Sequence, residues 1–587
     1  MYELLSKINC PGDVKKLSLS ELETLAGEIR EGLFNRLTKI GGHFGPNFGM
    51  VEMTIALHYV FDSPTDKFVF DVSHQSYTHK MLTGRKDGYI KDECFKEDSG
   101  YTNPDESEHD FFNVGHTSTS ISLATGLAKG REILGGNENV IAIIGDGSLS
   151  GGEALEGLNV AGSEIKGNLI VVLNDNQQSI SETHGGIYKN LALLRQTKGA
   201  AENNMFKAIG LDYVYEENGN DIPSLVALFK KVKDIDHPIV VHINTQKGKG
   251  YKPAETNKEA WHWCVPFDRT TGKPLRAFDG ENYVNLAKKF LLGKAKEDGR
   301  VVVITPNMPG AIGLTPEERN NLGKQFVDVG IAEEQAVAMA SGVAKRGGRP
   351  VVVTNMTFMQ RTYDQVSHDV CINDSPVTFL LNYSSFAGLT DVTHLGIFGL
   401  PIFANIPDLV VFAPSSVEEL KAGLEYSIGQ SKHPMMILIP GNEVHSRPII
   451  EDVSRINKFE MTKKGSEVAV IALGDFYQKG ENLCALLKEK LNVDATLVNP
   501  RFASAVDEEV LGSLIPDHKL VITLEDGVLE GGFGYKVANF FGDKKILVKN
   551  YGLGKKFYDR YDPSALLKEL GADDDSIVEY VKETLGK

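Results

Sequence analysis

Two polar side chains, Asp146 and Asn176, each follow a short apolar run of the kind that forms a buried strand. The runs, 140–144 (VIAII) and 169–173 (LIVVL), are rich in β-branched residues and too short for helices. The stretch 153–162 between them is rich in alanine and leucine and predicts a crossover helix. Because parallel strands joined in this way end at the same edge of a sheet, we expect Asp146 and Asn176 to lie side by side.

These two side chains suit the binding of a hard cation close to a phosphate group. Carboxylate and amide oxygens are ligands for Mg²⁺, which keeps open positions for substrate phosphates. Gly145 and Gly147 flank Asp146, and glycine lets the backbone come close to a ligand. An ordinary strand–helix–strand unit with polar turns is the alternative interpretation. The combination of GDG with DN at this spacing favours the binding site.

The composition limits what kind of protein carries this site. A chain of 587 residues is too long for one core, and about three domains are expected. No apolar run approaches a membrane span, and the first residues show no secretory signal. Five scattered cysteines without a CxxC pair argue for a reducing cytoplasm and against disulfides or a zinc site. The formal charge of −17 argues against nucleic acid as a partner.

Alternating strands and helices predict three stacked α/β domains with parallel sheets. The polar stretches 270–276 and 451–464 are the predicted linkers. A helix is predicted over 331–345, and the polar segment 181–204 is predicted to be a mobile loop at the site. The domains are predicted at residues 1–275, 280–455 and 460–587. Further strands are predicted at 238–243, 301–304, 350–353, 377–381, 436–439, 468–471, 495–498 and 520–523.

Several longer motifs accompany the GDG and DN pair. They are 41–44 (GGHF), 71–75 (DVSHQ), 113–120 (NVGHTSTS), 331–337 (IAEEQAV) and 357–365 (TFMQRTYDQ). Together, and in this order, they resemble the 1-deoxy-D-xylulose-5-phosphate synthase family of the thiamine diphosphate-dependent transketolase superfamily. The resemblance covers essentially the whole chain. The motifs around 71–80 and 113–122 are more similar to this family than to transketolase proper.

The resemblance implies a transketolase-like fold with thiamine diphosphate and Mg²⁺ as cofactors. It assigns Asp146, Asn176 and the backbone carbonyl of Gln178 to the metal. Without its motif, Glu333 would be interpreted as a solvent-facing carboxylate at a helix start, and the histidines as structural residues. The other positions that match cofactor contacts of the family are His74, Gly115, His116, Thr117, Gly147, Ser148, Tyr251, Glu333 and Phe358.

The resemblance also implies the reaction. Glu333 matches the glutamate that forms a hydrogen bond with the pyrimidine ring of thiamine. This contact helps the cofactor to lose the proton from C2 of its thiazolium ring. Pyruvate then loses CO₂, and the remaining two-carbon unit is joined to an aldehyde to give a 1-deoxyketose. Histidine can shuttle protons near neutral pH and can donate to a developing alkoxide. The side chains expected at the substrate are His43, His262, His394 and Arg361.

The sequence departs from the family on the side that would hold the aldehyde. Tyr383 stands where these synthases have a phosphate-binding arginine, and the run 438–442 (LIPGN) lacks a second one. Asn355 replaces a tyrosine. Each missing arginine would weaken the binding of a phosphate group by about 1.5–3 kcal/mol for every charged hydrogen bond that is lost, unless Arg361 or Arg447 binds the phosphate instead.

Three hypotheses about function follow. The first is the family's reaction of pyruvate with glyceraldehyde 3-phosphate. The second is a paralogous transferase that passes an acyl or ketol unit to another aldehyde, which the missing arginines favour. The third is a non-catalytic thiamine diphosphate-binding partner subunit, against which the retained Glu333, Asp146, Asn176 and His43 argue. The resemblance further implies a cytoplasmic homodimer with small-molecule substrates and no membrane partner, serving isoprenoid and thiamine biosynthesis.

Overall fold

A computed structural model describes residues 2–183, 185–276 and 280–587 of the protein. The chain forms two compact units. Unit 1 comprises Met1–Asp279 with Gly330–Ala332, and unit 2 comprises Gly280–Val329 with Glu333–Lys587. None of the helices in the described ranges is long and apolar enough to cross a lipid bilayer.

Unit 1 is built on a parallel sheet. Within the described residues its strands are β1 Gly42–His43, β2 Lys67–Phe70, β3 Val140–Gly145, β4 Leu169–Asp175, β5 Asp212–Glu216, β6 Pro238–Asn244 and β7 Trp263–Cys264. Five of these form a parallel sheet in the order β2-β3-β4-β6-β5, while β1 and β7 pair as an antiparallel ribbon. The strands predicted over 140–144, 169–173 and 238–243 are confirmed as β3, β4 and β6.

Helices surround this sheet. They are α1 Pro11–Val14, α2 Leu19–Ile40, α3 Gly45–Gly49, α4 Val51–Val60, α5 Tyr77–Lys80, α6 Asp87–Ile90, α7 Ser120–Leu134, α8 Gly152–Ala161, α9 Gly186–Gln196, α10 Met205–Ala208, α11 Ile222–Val232 and α12 Lys252–Thr256. The helix α8 connects β3 to β4 and confirms the predicted crossover.

The sheet of unit 1 is buried on both faces, which explains why its central strands are continuous apolar runs. Alternate side chains of β3 enter two cores, one shared with α2, α4 and α11 and the other with α7 and α8. In the register of the sheet, Gly145 lies opposite Asn174. Asp146 and Asn176 therefore follow neighbouring strands at one edge, as predicted.

Unit 2 contains two sheets. The strands of the first are β8 Val301–Thr305, β9 Phe326–Asp328, β10 Arg349–Asn355, β11 Thr378–Asn382, β12 Val410–Phe412 and β13 Met435–Leu438. They are all parallel, in the order β12-β13-β11-β10-β8-β9. The strands of the second are β14 Glu460–Lys463, β15 Glu467–Ala472, β16 Thr496–Asn499, β17 His518–Val528 and β18 Leu547–Leu553. Their order is β14-β16-β15-β17-β18, and β14 alone among them is antiparallel to its neighbour.

The helices of unit 2 connect these strands. They are α13 Tyr283–Glu297, α14 Pro316–Leu322, α15 Glu333–Lys345, α16 Met356–Met359, α17 Gly399–Phe403, α18 Val417–Gly429, α19 Tyr477–Leu491, α20 Glu508–Leu514, α21 Phe533–Phe541, α22 Pro563–Glu569 and α23 Asp574–Leu585. One hydrophobic core includes side chains from both sheets, among them Val352, Phe379, Ile471 and Val521. The two sheets of unit 2 are therefore packed as one body.

Three local predictions are corrected by the structure. The segment 181–204, predicted as a loop, contains the helix α9, because Leu191 and Leu194 recur at helical spacing and are buried; His184 of this segment lies outside the described residues. The predicted linker 451–464 contributes β14, which pairs with the otherwise open edge of β16. The helix predicted from residue 331 begins at Glu333.

Arg501 is fully buried where the two sheets of unit 2 meet. Its guanidinium donates to the carbonyls of Glu451 and Lys458 at 2.7 and 2.8 Å, and Nη1 lies 3.3 Å from the carboxylate of Glu460. Its own carbonyl accepts the N–H of Ala413 at 2.7 Å, next to the end of β12. This arginine thus ties the former linker to both sheets.

We expect Arg501→Met to lower the free energy of unfolding by about 3–5 kcal/mol, because it leaves the buried Glu460 carboxylate without its partner. Urea denaturation measures the change. The double variant Arg501→Met/Glu460→Met should recover only part of the loss, because it removes the unpaired charge but not the loss of the hydrogen bonds that Arg501 and Glu460 make to the backbone. Arg455→Met, which breaks an exposed pair with Glu451, is the control and should cost less than about 1 kcal/mol. Equal losses for both single variants would contradict the role given to Arg501.

Candidate active site

The site in unit 1 is built from the carboxyl ends of four adjacent parallel strands. Asp71 follows β2, Asp146 follows β3, Asn176 follows β4, and Lys247 lies shortly after β6. Ligands bind at this edge in open α/β sheets. The sheet therefore brings together side chains that are far apart in the sequence.

Asp146 is the most constrained of these groups. Its side chain is buried, and within the described residues its Oδ2 has no hydrogen-bond partner. The backbone N–H of Asn176 donates to the carboxyl group. Burial raises the pKa of Asp146 well above its ordinary value, and the neighbouring carboxylate of Asp175 raises it further. A cation at Oδ2 would satisfy the buried oxygen and stabilise the ionised form.

The turn after β4 carries two further candidate metal ligands, the side-chain oxygen of Asn176 and the backbone carbonyl of Gln178. Asn176 is buried and its Oδ1 accepts the N–H of Gln178 at 3.2 Å, while the N–H of Gln177 donates to Asp175 at 3.1 Å. Gln177 adopts a positive φ of 63°, which turns the chain sharply at this point. The turn therefore holds the amide of Asn176 and the backbone of Gln178 close together, as their predicted role as metal ligands requires.

Asp175 anchors this turn from behind. Its carboxylate accepts hydrogen bonds from Arg195 on α9 and from Nε2 of His242 at 2.8 Å, and Nδ1 of His242 is bonded to the hydroxyl of Tyr213 at 2.8 Å. Burial opposes ionisation of Asp175, but His242 and Arg195 outweigh it and lower its pKa. The sequence did not indicate this chain of contacts, because α9 was predicted to be a loop.

Gly147 is required by a close approach. A Cβ at this position would lie 2.6 Å from Oγ and 2.7 Å from Cβ of Ser179. The carbonyl of Gly147 accepts the hydroxyl of Tyr188 at 3.2 Å, and the carbonyl of the buried Ser148 accepts Oγ of Ser118 at 2.8 Å. The backbone after β3 is therefore fixed on several sides, with no room for a larger residue in place of the glycine.

The segment Gly115-His116-Thr117 lies just before α7. Both oxygens of the buried Asp71 hold this segment, by accepting the N–H groups of Ser118 at 2.9 Å and Ser120 at 3.0 Å. Oγ of Ser73 donates to the carbonyl of Val114 at 2.7 Å. The motifs at 71–75 and 113–120 are thus one structural unit at the carboxyl end of β2.

Three histidines that were predicted at the site from distant parts of the sequence form one cluster. The ring centroids of His43 and His74 are 4.9 Å apart, those of His74 and His262 5.3 Å, and those of His43 and His262 5.7 Å. His43 is on β1, and His262 directly precedes β7, the partner strand of β1. Burial lowers the pKa of His74 to about 3 and that of His262 well below its ordinary value. Both rings are therefore neutral at neutral pH and offer one N–H and one acceptor nitrogen each.

Lys247 is a site residue that the sequence analysis did not single out. It is almost fully buried, and its ammonium group contacts the carbonyl of Ser179 and lies 3.1 Å from Nδ1 of His262. Burial lowers the pKa of Lys247 to about 7, against the opposing charge of Asp146. Asp146 was found because it follows a predicted parallel strand. The same search after the predicted strand at 238–243 leads to the segment that contains Lys247.

Tyr251 lies in a different environment. Its ring packs against Phe44, Trp261 and Phe267, and its hydroxyl donates to the carbonyl of Arg269 at 3.0 Å. These contacts give Tyr251 a role in the aromatic core of unit 1. Its contact with the cofactor stays a prediction.

A second group of predicted residues lies in unit 2, at the carboxyl edge of its first sheet. Glu333 begins α15 after β9, Phe358 and Arg361 follow β10, and His394 follows β11. Glu333 is buried, and within the described residues its Oε2 has no hydrogen bond. Burial raises the pKa of Glu333 to about 7, although Nη1 of Arg361 lies 3.6 Å away and acts in the opposite direction.

The aromatic side of this group is formed by Phe358 and His394, whose ring centroids are 5.7 Å apart and nearly perpendicular. Nδ1 of His394 is 2.8 Å from Oγ1 of Thr393, which itself donates to Asp391 at 2.6 Å. Asp391 therefore orients His394 through the hydroxyl group of Thr393.

The departures from the family can now be placed. Tyr383 is partly exposed at the end of β11 with a positive φ of 53°. Arg447 cannot replace a missing arginine there, because its guanidinium is bound to Glu481, Gln478 and the carbonyl of Ser415. Arg361 lies beside Glu333.

In the presence of thiamine diphosphate, we expect the apparent affinity for Mg²⁺ to increase as the pH is raised from the ordinary pKa range of a carboxyl group to neutral pH. The reason is that Asp146 must lose its proton to bind the ion, and its raised pKa moves that step upward. Calorimetric titrations at several pH values measure this. Asp146→Asn should weaken Mg²⁺ binding at least about tenfold and remove the pH dependence.

Thermal unfolding of the apo-protein provides the control. A raised folded-state pKa means that the apo-protein loses stability as pH rises past the ordinary carboxyl range. Asp146→Asn should therefore leave the apo-protein as stable as the wild type or more stable at neutral pH. A less stable apo-variant would contradict the assignment of a strained carboxyl group.

We expect Gly147→Ala to impair cofactor binding by at least about tenfold, because the new methyl group overlaps Ser179. Fluorescence titration with thiamine diphosphate and Mg²⁺ measures the loss. Ser179→Gly in the same chain should restore much of it. Gly152→Ala, where nothing lies within 4 Å of the new Cβ, is the matched control and should bind normally. A similar loss at Gly152 would show that the close approach is not the cause.

Comparison with known proteins relates the whole chain to one family. A model of 1-deoxy-D-xylulose-5-phosphate synthase matches residues 5–203 and 193–245, that of the transketolase pyrimidine-binding domain 282–445, and that of the transketolase C-terminal domain 457–577. Among solved structures, transketolases from Leishmania mexicana and Campylobacter jejuni are 16% identical and cover 97% of this chain, and the chain covers 97% and 100% of theirs, each with a TM-score of 0.45.

The curated relatives cover the chain from end to end. The chain is 38% identical to 1-deoxy-D-xylulose-5-phosphate synthase 1 of Geobacter sulfurreducens, over 98% of this chain and 96% of the relative. It is 37% identical to the 1-deoxy-D-xylulose-5-phosphate synthase of Clostridium tetani, over 100% of both chains. The resemblance inferred from the motifs is confirmed, and the chain belongs to the 1-deoxy-D-xylulose-5-phosphate synthase family.

Proposed function

We propose that the protein is a thiamine diphosphate- and Mg²⁺-dependent synthase that decarboxylates pyruvate and joins the two-carbon unit to glyceraldehyde 3-phosphate. The product is 1-deoxy-D-xylulose 5-phosphate, a precursor for isoprenoids and thiamine. Membership of the family and the relatives' names support this. The observation that carries it is the buried Oδ2 of Asp146, which has no hydrogen-bond partner among the residues that the structure describes, beside Asn176 at the ends of two parallel strands.

The residues of unit 1 fit the diphosphate end of the cofactor. Asp146, Asn176 and the carbonyl of Gln178 would supply oxygens to a Mg²⁺ ion that binds together with the diphosphate. Such a site differs from a cluster of ionisable ligands, and the described residues contain no group of three His, Cys, Asp or Glu side chains placed to hold a metal. Lys247 places a cation beside the anionic phosphates when it is protonated.

The residues of unit 2 fit the ring end of the cofactor. When bound, thiamine diphosphate supplies a carbon nucleophile and an electron sink for decarboxylation. Burial raises the pKa of Glu333 to about 7, so this carboxyl group can hold a proton near neutral pH and would donate it in a hydrogen bond to a ring nitrogen of the pyrimidine. Arg361 tunes this carboxyl group through its charge, and Phe358 gives the ring an apolar surface. The burial of Glu333 excludes water from the proton it holds.

The histidines stabilise negative charge on substrate oxygens. His74 and His262 are neutral at neutral pH, so they act by N–H donation, without carrying a full positive charge. His43 and His394 would donate hydrogen bonds to substrate oxygens that gain negative charge during the reaction. Thr393 and Asp391 fix the orientation of His394.

The domain organisation and assembly belong to the same proposal. Residues 1–275 form the diphosphate-binding domain, 280–455 the pyrimidine-binding domain and 460–587 the C-terminal domain. The protein works as a cytoplasmic homodimer with small-molecule substrates. The three family models, which match separate stretches of the chain, support this division.

We expect Glu333→Ala to lower kcat by about 10²–10⁴-fold, since it removes a positioned proton donor. Cofactor affinity should change far less, because the diphosphate contacts in unit 1 are intact. Steady-state kinetics and a thiamine diphosphate titration measure the two effects. Glu334→Ala, its less buried neighbour, is the matched control and should keep its activity. Full activity of Glu333→Ala would contradict catalysis at this carboxyl group and favour a binding protein.

The direct test of function is CO₂ release from pyruvate by the purified protein with thiamine diphosphate, Mg²⁺ and glyceraldehyde 3-phosphate. We expect release that depends on the aldehyde, together with 1-deoxy-D-xylulose 5-phosphate detected by mass spectrometry. No CO₂ release with this aldehyde or any other would overturn the proposal.

A further inference from the structure

The loop that carries His394 joins β11 to the helix α17 and spans residues 383–398. All of these residues are described, and the regular structure among them is one short helical turn, Val392–His394. The loop folds back on itself, because a Cβ at Gly396 would lie 2.0 Å from the carbonyl oxygen of Tyr383. A loop with so little regular structure takes its shape from the surfaces against which it packs. The position of His394 therefore depends on the neighbours of this loop.

The apolar side chains of this loop are buried in the core of the second sheet of unit 2. Phe386, Leu395 and Ile397 are each at most 5% exposed. They belong to the hydrophobic cluster that the strands β15 to β18 and the helix α19 form. The ring of Phe386 meets that of Phe476 edge-on, with centroids 5.6 Å apart. Although the loop leaves from a strand of the first sheet, burial of apolar surface holds it against the second.

The strand β17 binds the loop in two places. Oδ1 of Asp526 accepts the N–H of Phe386 at 2.9 Å, near the start of the loop. The N–H of Val528 donates to the carbonyl of Ile397 at 3.2 Å, near its end. Asp526 and Val528 both belong to β17. The second sheet thus fixes both where the loop enters and where it leaves.

A short segment after β18, residues 559–561, makes further contacts with the loop. Oη of Tyr561 donates to the carbonyl of Phe386 at 2.6 Å, and the N–H of Arg560 donates to the carbonyl of Thr390 at 2.7 Å. Burial raises the pKa of Tyr561 to about 12, so its hydroxyl keeps its proton and remains a donor at neutral pH. Two donors of this segment therefore bind backbone carbonyls of the loop.

The same segment also contacts the helical turn that ends at His394. Oδ1 of Asp559 accepts the N–H of Val392 at 3.2 Å. Val392 begins this turn and His394 ends it. A little further along the loop, the ring of Phe398 packs against that of Phe557, with centroids 5.6 Å apart. Contacts from the chain after β18 therefore flank His394 on both sides in the sequence.

These contacts are separate from those that join the two sheets of unit 2. The core that the sheets share includes Val352, Phe379, Ile471 and Val521, and none of its described members comes from 383–398. The two sheets are therefore held together without this loop. The hydrogen bonds of residues 559–561 act on the shape of the loop, and through it on His394.

We propose that Tyr561 and Asp559 are positioning residues for the reaction, which hold the loop 383–398 in the shape that presents His394 to the substrate. The second sheet of unit 2, to which no cofactor or substrate contact is assigned, thereby contributes to catalysis through the loop. This inference rests on the proposed function, since it is there that His394 is assigned to the substrate.

The first test is Tyr561→Phe, which removes the hydroxyl donor and keeps the ring. In the holoenzyme with pyruvate and glyceraldehyde 3-phosphate, we expect kcat to fall about tenfold, because even a small displacement of a catalytic group slows the reaction. The KM values, the thermal unfolding temperature and the affinity for thiamine diphosphate should change little. Tyr558→Phe is the matched control, because the hydroxyl of Tyr558 bonds to Gly554; its kcat should be that of the wild type.

Hydrogen exchange gives a measurement that needs no turnover. Mass spectrometry of peptides that cover 383–398 reports how often the loop opens in the holoenzyme. Tyr561→Phe should speed exchange in these peptides several-fold, because the carbonyl of Phe386 loses its donor. Tyr558→Phe should leave their exchange unchanged.

A double-mutant cycle separates the positioning of His394 from a general structural role. Tyr561→Phe should lower kcat about tenfold in the wild-type background but hardly at all in the His394→Ala background, because no imidazole is left there to position. A purely structural role would give the same fold-loss in both backgrounds.

Asp559 allows a conservative pair of variants. Asp559→Ala removes the acceptor for the N–H of Val392 and should lower kcat. Asp559→Asn keeps a side-chain oxygen at the same place, so it should retain most of the activity that Asp559→Ala loses. Both are compared with the wild type under the same saturating conditions.

The outcomes separate this inference from the proposed function. An unchanged kcat in both Tyr561→Phe and Asp559→Ala would overturn the inference and leave the proposed function intact. Equal fold-losses in the two backgrounds of the cycle, or a loss in Tyr558→Phe as large as in Tyr561→Phe, would have the same meaning. No turnover of pyruvate with glyceraldehyde 3-phosphate by the wild type would overturn the proposed function and the inference with it.

Discussion

The buried carboxyl group of Asp146 is the constraint on which the site in unit 1 depends. A polar oxygen held away from water without a partner costs free energy. It stays in place because β3 and β4 are fixed by the two cores of the sheet, which the folding of the whole unit stabilises. The cation proposed to bind here would offset this cost, since a ligand that binds only the folded state stabilises it.

The groups around Asp146 oppose its ionisation, and burial reduces the charge of the basic groups near it. Asp175, which Arg195 and His242 keep ionised, opposes a second negative charge at Asp146. Burial at the same time moves Lys247, His74 and His262 towards their neutral forms. The metal ion and diphosphate proposed to bind here would bring charges of both signs together.

The sequence was sufficient to locate the strand ends but not the contacts between distant segments. Asp146 and Asn176 could be placed because short β-branched runs and their parallel pairing are local properties with a fixed geometric consequence. Lys247 was missed although it follows a predicted strand, and the contact between Asp475 and Gly441 could not be foreseen, because it joins two sheets. The strand β14 was missed because its residues, EMTK, lack an apolar pattern and pair only since β16 offers an open edge. Helix α9 was hidden by the polar residues around its short buried face.

The strand β14 has a consequence for how this chain could have evolved. The segment 451–464 contributes β14 to the second sheet of unit 2, and Arg501 connects this segment to the end of β12. A gene break or recombination point at residues 451–464 would remove the edge strand β14 from one fragment. It would also expose the hydrophobic core that both sheets of unit 2 share. Shuffling of the C-terminal domain between relatives would therefore succeed only with the preceding domain attached. The two halves of unit 2 are expected to be inherited together.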